Sequence, residues 1–524
     1  MRGSRREFWV ILGLSAVAFV GVGLWLAAHD LVFPDAMSRV ANGYFVAFSR
    51  DPHLAAIGFV WNPLPSFLDL PFLALTPLIP AMASHGLAGV LESSLCGALT
   101  VALFALVLRD IGVTGRAIRW ILTGLFAVQP LIVLSSASGA SEAMLLAALM
   151  LVLRSLLAYL RDNAPDHLLL VGVGLGLAYL TRYEAVGAGA GVIALVFVIS
   201  ALRHRENRMS YAFTDATIAA FPFVMACAGW AVVSKVIMGS WFESATSHYG
   251  NSSQVNAARE YIDNVAGTGH LSHLGYLGEQ LAGIAPLLGV VAIISAIVAI
   301  RRRDVRVPAI WASFGTVLVL DDLLFLQGST FGWLRFQIAA VPLLFLLAGH
   351  LVASTPRFRP LVSACTALAL AACLPLAWRI EGDPRLAREE KMAVSIANSD
   401  RQGNQRAVAA DLDLRVGGRE GSVITDVAYS SQIVLASRHH DQYVVTTDRD
   451  FKQALADPAA AGVCYALVGA PESSPSDAVE AQYPQFFETG GGVATLEQQW
   501  TEEGPLEWRL YSFDHQRPGQ EGCG

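Results

Sequence analysis

Asp35 is the first residue of this sequence whose type and position suggest chemistry. It lies in residues 29–35, HDLVFPD, directly after the first hydrophobic stretch of the chain. A carboxylate at the boundary between lipid and water is suited to act as a general base on a hydroxyl acceptor. Asp30, closer to the hydrophobic stretch, is a second candidate. The competing interpretation is that Asp35 caps a helix that begins near Ala36, because Asp is a favoured capping residue.

Other polar residues in the two long hydrophilic segments are candidates to bind substrate. Asp51 and His53 follow Asp35 and could bind an acceptor or a metal ion, although Asp51-Pro52 is equally typical of a turn. His248 and Tyr249 lie in the second segment and are candidates to bind a sugar or a phosphate. No CxxC pair or His/Cys cluster indicates a zinc site. No motif requires a divalent metal ion, so the cofactor stays open.

A second group of charged residues, Thr181-Arg182-Tyr183-Glu184, lies between two hydrophobic stretches. Charges at a membrane boundary are unfavourable unless they are paired or take part in function. We therefore interpret Arg182 as a candidate to bind phosphate and Glu184 as a candidate to bind substrate. The alternative is that the two side chains pair locally and extend towards the interface. Glu142, which begins another hydrophobic stretch, is a further substrate-binding candidate, with helix capping as its alternative.

The third group begins the hydrophobic stretch at Arg335 and Gln337. A guanidinium group at this position suits a lipid phosphate, because arginine forms bidentate, charge-assisted hydrogen bonds with phosphate oxygens. Simple anchoring at the interface is the alternative. Asp321 and Asp322 lie near the end of the preceding stretch, where an acidic pair inside a membrane is a functional hypothesis.

The composition indicates a polytopic membrane protein. The 524 residues are 54% hydrophobic and only 15% charged, whereas soluble proteins carry about 25% charged residues. A membrane-spanning helix needs about 20 apolar residues. The sequence predicts about eleven such spans: 9–28, 87–108, 118–137, 141–160, 168–181, 185–201, 213–238, 281–300, 308–326, 336–353 and 360–378.

The arginines predict the orientation of these spans. Arg2, Arg5 and Arg6 precede the first span, and the run 301–303 follows the eighth. With eleven spans, these arginines fall on one side, which the positive-inside rule assigns to the cytoplasm. We therefore expect a multi-pass protein of the plasma (inner) membrane, with a cytoplasmic N-terminus, an uncleaved first span, and residues 29–86 and 239–280 outside.

The last 144 residues differ from the rest. Residues 381–524, called the tail below, contain 23 acidic and 12 basic residues, a net charge of −11, while residues 1–380 have a net charge of +4. An acidic tail argues against a nucleic-acid partner. Alternating strand and helix patterns predict a small extracytoplasmic α/β domain over 381–524, beside a membrane module over 1–380. Cys464 and Cys523 could pair if the tail lies outside the cell.

Together these features resemble the GT-C superfamily of membrane glycosyltransferases, which includes protein mannosyltransferases, aminoarabinose transferases and mycobacterial arabinosyltransferases. Three elements carry the resemblance: Asp35 in the first outer loop, WNPLP at 61–65, and LTRYE at 180–184, which is similar to the Thr-Arg-x-Glu element of bacterial members. The number of spans, the orientation and the outer C-terminal domain extend the likeness over most of the chain.

The resemblance implies a glycosyltransferase that uses a polyprenyl-phosphate sugar and inverts the anomeric carbon. Asp35 would deprotonate a protein, lipid or glycan acceptor, and Arg335 and Arg182 would hold the donor phosphate in the same outer pocket. Trp61 and Asn62 of the second element would bind substrate. A transporter or flippase for a lipid-linked substrate is the rival class, and a non-catalytic assembly protein is a second one.

Overall fold

The computed structural model describes residues 2–246, 250–474, 476–501 and 507–514. By its internal contacts the chain divides into two compact units. The first comprises Met1–Leu24, Phe59–Pro65 and Val90–Met392, and the second comprises Trp25–Gly58, Ser66–Gly89 and Ala393–Gly524. The predicted division into a membrane module over 1–380 and a soluble domain over 381–524 states which part of the chain lies in the membrane and which lies in water. This division stays a prediction.

The N-terminal half of the chain is helical and carries most of the predicted spans. Its helices in chain order are α1 (Arg2–Ala28), α2 (Pro34–Ala47), α3 (Leu64–Leu73), α4 (Ala81–Ser84), α5 (Leu87–Asp110), α6 (Arg116–Ala127), α7 (Pro130–Ala137), α8 (Glu142–Asp162), α9 (Pro165–Thr181), α10 (Ala185–Arg203) and α11 (Arg208–Met238).

Residues 239–380 continue in helices, first short and then long. They are α12 (Glu243–Thr246), α13 (Asn251–Ala257), α14 (Arg259–Ala266), α15 (His270–Ile284), α16 (Leu288–Arg302), α17 (Arg306–Ile310), α18 (Thr316–Leu326), α19 (Ala340–Ser354) and α20 (Arg359–Ile380). A π-helical turn, Trp311–Gly315, joins α17 to α18, and a 3-10 turn, Leu334–Ala339, leads into α19.

Eight helices among the described residues are long and apolar enough to cross a membrane, or ten if each of two bent pairs counts as one span. The bends are 64° between α6 and α7 and 81° between α15 and α16. Each break precedes or contains a proline, Pro130 or Pro286, which lacks a backbone N–H and disfavours helix in the residue before it. This confirms the predicted polytopic helical fold.

The fifth predicted span is the short helix α9. Its 17 residues reach about 26 Å at 1.5 Å per residue, less than the roughly 30 Å of a hydrocarbon core. If α9 and each bent pair count as one span, the total equals the predicted eleven. An odd number of spans places the two ends of this helical region on opposite sides of the membrane. The orientation therefore depends on α9 and stays a prediction.

Aromatic packing holds the centre of the first unit. Phe104 of α5 stacks on Phe126 of α6 with ring centroids 4.2 Å apart, and Phe345 of α19 meets both rings edge-on. Offset and edge-to-face contacts of this kind add about 0.5–1.5 kcal/mol per pair beyond the burial of apolar area. These rings pack the neighbouring helices α5 and α6 against α19, which is distant from both in sequence.

The tail forms the predicted α/β domain. Its elements are α21 (Arg388–Asn398), α22 (Arg401–Val416), β1 (Val423–Thr425), α23 (Val427–Ala436), β2 (Tyr443–Val445), α24 (Phe451–Ala456), α25 (Pro458–Ala461), β3 (Tyr465–Gly469), α26 (Ala478–Gln482), α27 (Phe486–Thr489), β4 (Ala494–Thr501) and β5 (Glu507–Phe513). The sheet order is β2-β1-β3-β5-β4, with β1 parallel to β2 and β3, and β5 antiparallel to β3 and β4.

Cysteine chemistry agrees with the scattered pattern in the sequence. Cys96, Cys227, Cys365 and Cys373 are free thiols in helices of the first unit, and Cys464 at the start of β3 is disulfide-bonded. Its predicted partner, Cys523, lies outside the described residues. A disulfide in the tail is typical of an oxidising compartment.

We expect the tail and the connection after α16 to lie on opposite sides of the membrane, because the predicted topology has eleven spans and a cytoplasmic N-terminus. In a variant without the four free cysteines, Lys452→Cys should react with a membrane-impermeant maleimide in intact spheroplasts. Arg302→Cys should react only after permeabilisation. Both side chains are exposed, so labelling of both positions from the same side would contradict the predicted orientation.

Candidate active site

Two buried arginines meet at one carboxylate in the first unit. Arg182 Nη1 donates to Glu142 Oε1 at 2.5 Å, and Arg335 Nη1 donates to the same oxygen at 3.2 Å. Arg182 Nη2 also donates to Glu184 Oε1 at 2.6 Å, and Arg335 Nε pairs with Glu389 Oε2 at 2.6 Å. The structure thus brings together Arg182, Arg335, Glu142 and Glu184, all four of which are candidates from the sequence.

Helix ends position these side chains. Glu142 is the first residue of α8, Arg182 is the extended residue after α9, and Glu184 precedes α10. Arg335 lies in the 3-10 turn before α19. The tight connection from α9 to α10 places Arg182 and Glu184 close to each other, while Glu142 and Arg335 come from distant parts of the chain.

The side chains of this cluster are largely buried. Glu142 is 1% exposed, Arg335 is 5% exposed and Arg182 is 9% exposed. The ring of Phe336 lies against both guanidinium groups, with its centroid 5.2 Å from Arg182 Cζ and 5.5 Å from Arg335 Cζ. Buried ions are tolerated only when they are paired and hydrogen-bonded, and the shared carboxylate and this aromatic face meet that condition for both arginines.

Carboxylates outnumber arginines in this cluster. Asp321 of α18 is buried and interacts electrostatically with Arg182, Glu184 and Glu142. Its neighbour Asp322 accepts a hydrogen bond from Gln337 Nε2 at 2.8 Å. The predicted acidic pair and the candidates Arg335 and Gln337 are therefore parts of one polar region. A group of three or more His, Cys, Asp or Glu suited to hold a metal ion does not occur among the described residues.

Asp35 lies in the second unit, in the first turn of α2, and is half-buried. The helix begins at Pro34, one residue earlier than Asp35, and its N-cap is Phe33. Asp35 is therefore not the capping residue, although a negative charge in the first turn is favourable. Arg182 and Arg335 belong to the first unit, so a common pocket for the three residues stays a prediction.

Asp51 and His53 are engaged by contacts within the second unit. Asp51 Oδ2 accepts a hydrogen bond from the backbone N–H of Arg449 at 2.9 Å, and its carboxylate also pairs with the Arg449 side chain. These hydrogen bonds from Arg449 lower the pKa of Asp51 below its ordinary value. His53 Nδ1 lies 2.6 Å from the carbonyl oxygen of Asp51, an arrangement that agrees with the turn interpretation. Substrate or metal binding by either residue stays a prediction.

Asn62 links the WNPLP element to α9. It is 2% exposed, and its Nδ2 donates a hydrogen bond to the carbonyl oxygen of Tyr179, three residues before Arg182. Asn62 is thereby part of the support of the α9–α10 connection, and Trp61 beside it is half-buried. His248 and Tyr249 lie outside the described residues, so substrate binding by these two residues stays a prediction.

Sequence reasoning missed Glu389. It is buried in α21, beyond the last predicted span, and binds Arg335. Its only local signal is the pair Glu389-Glu390 directly after Arg388, a pattern that is equally common on exposed helices. Its position could not be inferred because the contact joins residues 54 positions apart.

The comparisons with known proteins agree with the resemblance in the sequence. Residues 73–238 match the family model of dolichyl-phosphate-mannose-protein mannosyltransferases, a segment that contains Glu142, Arg182 and Glu184. No curated protein sequence matches the chain.

The fold is similar to that of ArnT from Cupriavidus metallidurans. The crystal structure of ArnT bound to undecaprenyl phosphate has a TM-score of 0.51 at 13% identity, over 96% of this chain and 97% of ArnT. The apo structure of ArnT has a TM-score of 0.52 at 14% identity, over 95% of this chain and 97% of ArnT. Together with the family model, this similarity confirms the predicted GT-C-like fold.

Removal of the shared carboxylate should destabilise the first unit. Glu142→Gln leaves two buried guanidinium groups without their common counter-ion, and breaking a buried pair costs about 3–5 kcal/mol. We expect a clearly lower unfolding temperature of the purified protein in detergent. Asp162→Asn, which removes an exposed partner of Arg161 at the other end of α8, is the matched control and should leave the unfolding temperature unchanged. Equal unfolding temperatures for both variants would refute the role given to Glu142.

Proposed function

We propose that this protein is a membrane glycosyltransferase that transfers a sugar from a polyprenyl-phosphate donor to an extracytoplasmic acceptor. The observation that carries this proposal is the convergence of the Arg182 and Arg335 guanidinium groups on one oxygen of Glu142. Two guanidinium groups aimed at one anionic oxygen also suit a phosphate oxygen. The family match over residues 73–238 supports the same reaction class.

The reaction requires a phosphate leaving group and a base. The acceptor oxygen attacks the anomeric carbon from the face opposite to the phosphate, and Asp35 takes the acceptor proton. The bond between the anomeric carbon and the phosphate oxygen breaks, and the phosphate keeps the electron pair. Arg182 and Arg335 stabilise the charge that develops on this phosphate. Glu142 Oε1 accepts one hydrogen bond from each arginine, so the donor phosphate competes with this carboxylate for both guanidinium groups.

An apolar groove next to the cluster suits the lipid part of such a donor. It has a volume of about 510 Å³ and begins at Val186, two residues after Glu184. Its lining residues are all apolar: Val186, Ala190, Ile193, Ala194, Phe197 and Val198 of α10, and Phe213, Ala216 and Phe223 of α11. Glu184 directly precedes α10 and Val186 is the second residue of this helix, so the groove starts near the cluster along the chain, which supports a polyprenyl donor.

The position of the charges favours an enzyme over a transporter. A flippase or transporter is expected to bind its substrate near the middle of the bilayer, at discontinuous helices of an internal repeat. Here the cluster joins the start of α8, the α9–α10 connection and the turn before α19. Under the predicted orientation these helix ends lie at the extracytoplasmic boundary, where a lipid phosphate resides. A hexose or a pentose, and a protein, lipid or glycan acceptor, are all compatible with the proposal.

We expect Asp35→Asn to lower transfer by about 10²- to 10⁴-fold, the usual contribution of a general base. The assay uses the full-length protein, a radiolabelled polyprenyl-phosphate sugar and envelope extract as the source of acceptor, and it measures the label that leaves the donor lipid. Donor binding should persist, because Asp35 acts on the acceptor.

Asp166→Asn is a closely matched control. Pro165 and Asp166 begin α9 as Pro34 and Asp35 begin α2, each Asp in the first turn after a proline. The predicted orientation places Asp166 at the cytoplasmic side, so this variant should transfer at the wild-type rate. Unchanged turnover by Asp35→Asn would eliminate Asp35 as the base.

A further inference from the structure

An arginine of the tail holds the chain just before Asp35. Arg406 of α22 donates from Nη1 to Asp30 Oδ1 at 2.8 Å and from Nη2 to Asp30 Oδ2 at 2.6 Å. Gln402, one turn earlier in α22, donates to the backbone carbonyl of Asp30 at 3.3 Å. A two-pronged pair of this kind fixes orientation as well as distance. Both the side chain and the backbone of Asp30 are thereby tied to α22.

Asp30 occupies a backbone conformation that usually belongs to glycine. Its φ is +57°, and it closes the turn after α1, in which the N–H of Leu31 donates to the carbonyl of Leu26 at 2.9 Å. A side chain at this position is less favourable than glycine, since Cβ approaches the carbonyl oxygen. Asp adopts this conformation more readily than most other residues, and the pair with Arg406 also uses its carboxylate.

The opposite end of α2 is held by the loop after β2. Arg50 Nη2 donates to Asp448 Oδ2 at 2.8 Å and to Asp450 Oδ1 at 2.5 Å. Asp448 in turn accepts a hydrogen bond from the N–H of Val445 at 3.1 Å, which fixes it to the end of β2. The Asp51–Arg449 pair lies next to these contacts. Both ends of the helix that carries Asp35 are therefore bound to the tail by charged groups.

The middle of α2 packs into the core of the second unit. Its buried side contacts apolar residues of α22 and α23. The ring centroids of Tyr44 and His440 are 4.7 Å apart. The residues of this shared core include Val40, Ala41, Tyr44 and Phe45 of α2 with Val408, Leu412, Ile433 and Val434 of the tail. This apolar contact keeps α2 in place along its length. The first turn lacks a side-chain cap, and the contacts of Asp30 hold the chain that leads into it.

We propose that Arg406 is a positioning residue for the transfer reaction: by binding Asp30 it fixes the first turn of α2 and thereby the orientation of the Asp35 carboxylate. This inference rests on the proposed function. It gives the tail a role in positioning the catalytic base. Loss of the pair leaves the apolar core and the contacts of Arg50 intact. The protein therefore stays folded, while the chain that leads into the first turn of α2 loses its bidentate anchor.

Two variants and a matched control test this proposal in the full-length protein. Arg406→Gln removes the bidentate pair, and Arg406→Lys retains the charge but offers a single donor group in place of the fork. The control, Arg415→Gln, removes an exposed pair with Asp411 in the same helix. We expect Arg406→Gln to lower kcat by about 10- to 100-fold, because a misplacement of about 1 Å costs on this scale. The donor KM should stay near the wild-type value, and Arg406→Lys should recover part of the rate.

Hydrogen–deuterium exchange of the backbone amides of residues 35–39 gives a readout that does not depend on activity. Faster exchange there in Arg406→Gln, together with wild-type behaviour of Arg415→Gln, would support the proposal. Unchanged exchange, or faster exchange with an unchanged kcat, would overturn it. If the wild-type protein transfers no sugar from polyprenyl phosphate, the proposed function fails by itself, and unchanged exchange in Arg406→Gln then also refutes the anchoring of α2.

Discussion

The carboxylate of Glu142, shared by Arg182 and Arg335, is the interaction on which the polar end of the first unit depends. It joins the start of α8, the connection between α9 and α10 and the turn before α19, and Glu389 extends the network to α21. Without this shared charge, two guanidinium groups would be buried with insufficient compensation. The same charge orients both guanidinium groups towards one anionic oxygen, as the proposed binding of a donor phosphate requires.

Such a cluster is not the simplest way to stabilise a helical membrane protein. Replacing a buried ionic network by well-packed apolar residues is often neutral or stabilising, and the surrounding helices are otherwise rich in apolar contacts. Charged groups inside membrane proteins are typical of functional sites. In the second unit, charged pairs play a different part: they lie at the ends of α2 and orient a helix that apolar packing already holds. One cluster is thus suited to bind and exchange an anion, and the other to fix a geometry.

Local patterns predicted the elements far better than the contacts. Apolar stretches predicted the long apolar helices, and alternating patterns predicted an α/β domain over residues 381–524, whereas the polar helix α22 was not predicted. The bends at Pro130 and Pro286 were not predicted, because apolar length alone does not distinguish a straight span from a broken one. Arg182, Glu184 and Arg335 were predicted as candidate site residues because charged residues beside apolar stretches are easy to recognise in a sequence. Glu389 and the Asp30–Arg406 pair were missed, since a contact between distant residues leaves no local pattern.

A structure of the protein with bound polyprenyl phosphate would show directly whether the two arginines bind the donor. We expect the phosphate within hydrogen-bond distance of the Arg182 and Arg335 guanidinium groups and the Glu142 carboxylate displaced from both. A phosphate bound elsewhere, with both guanidinium groups still on Glu142, would refute the proposed donor site.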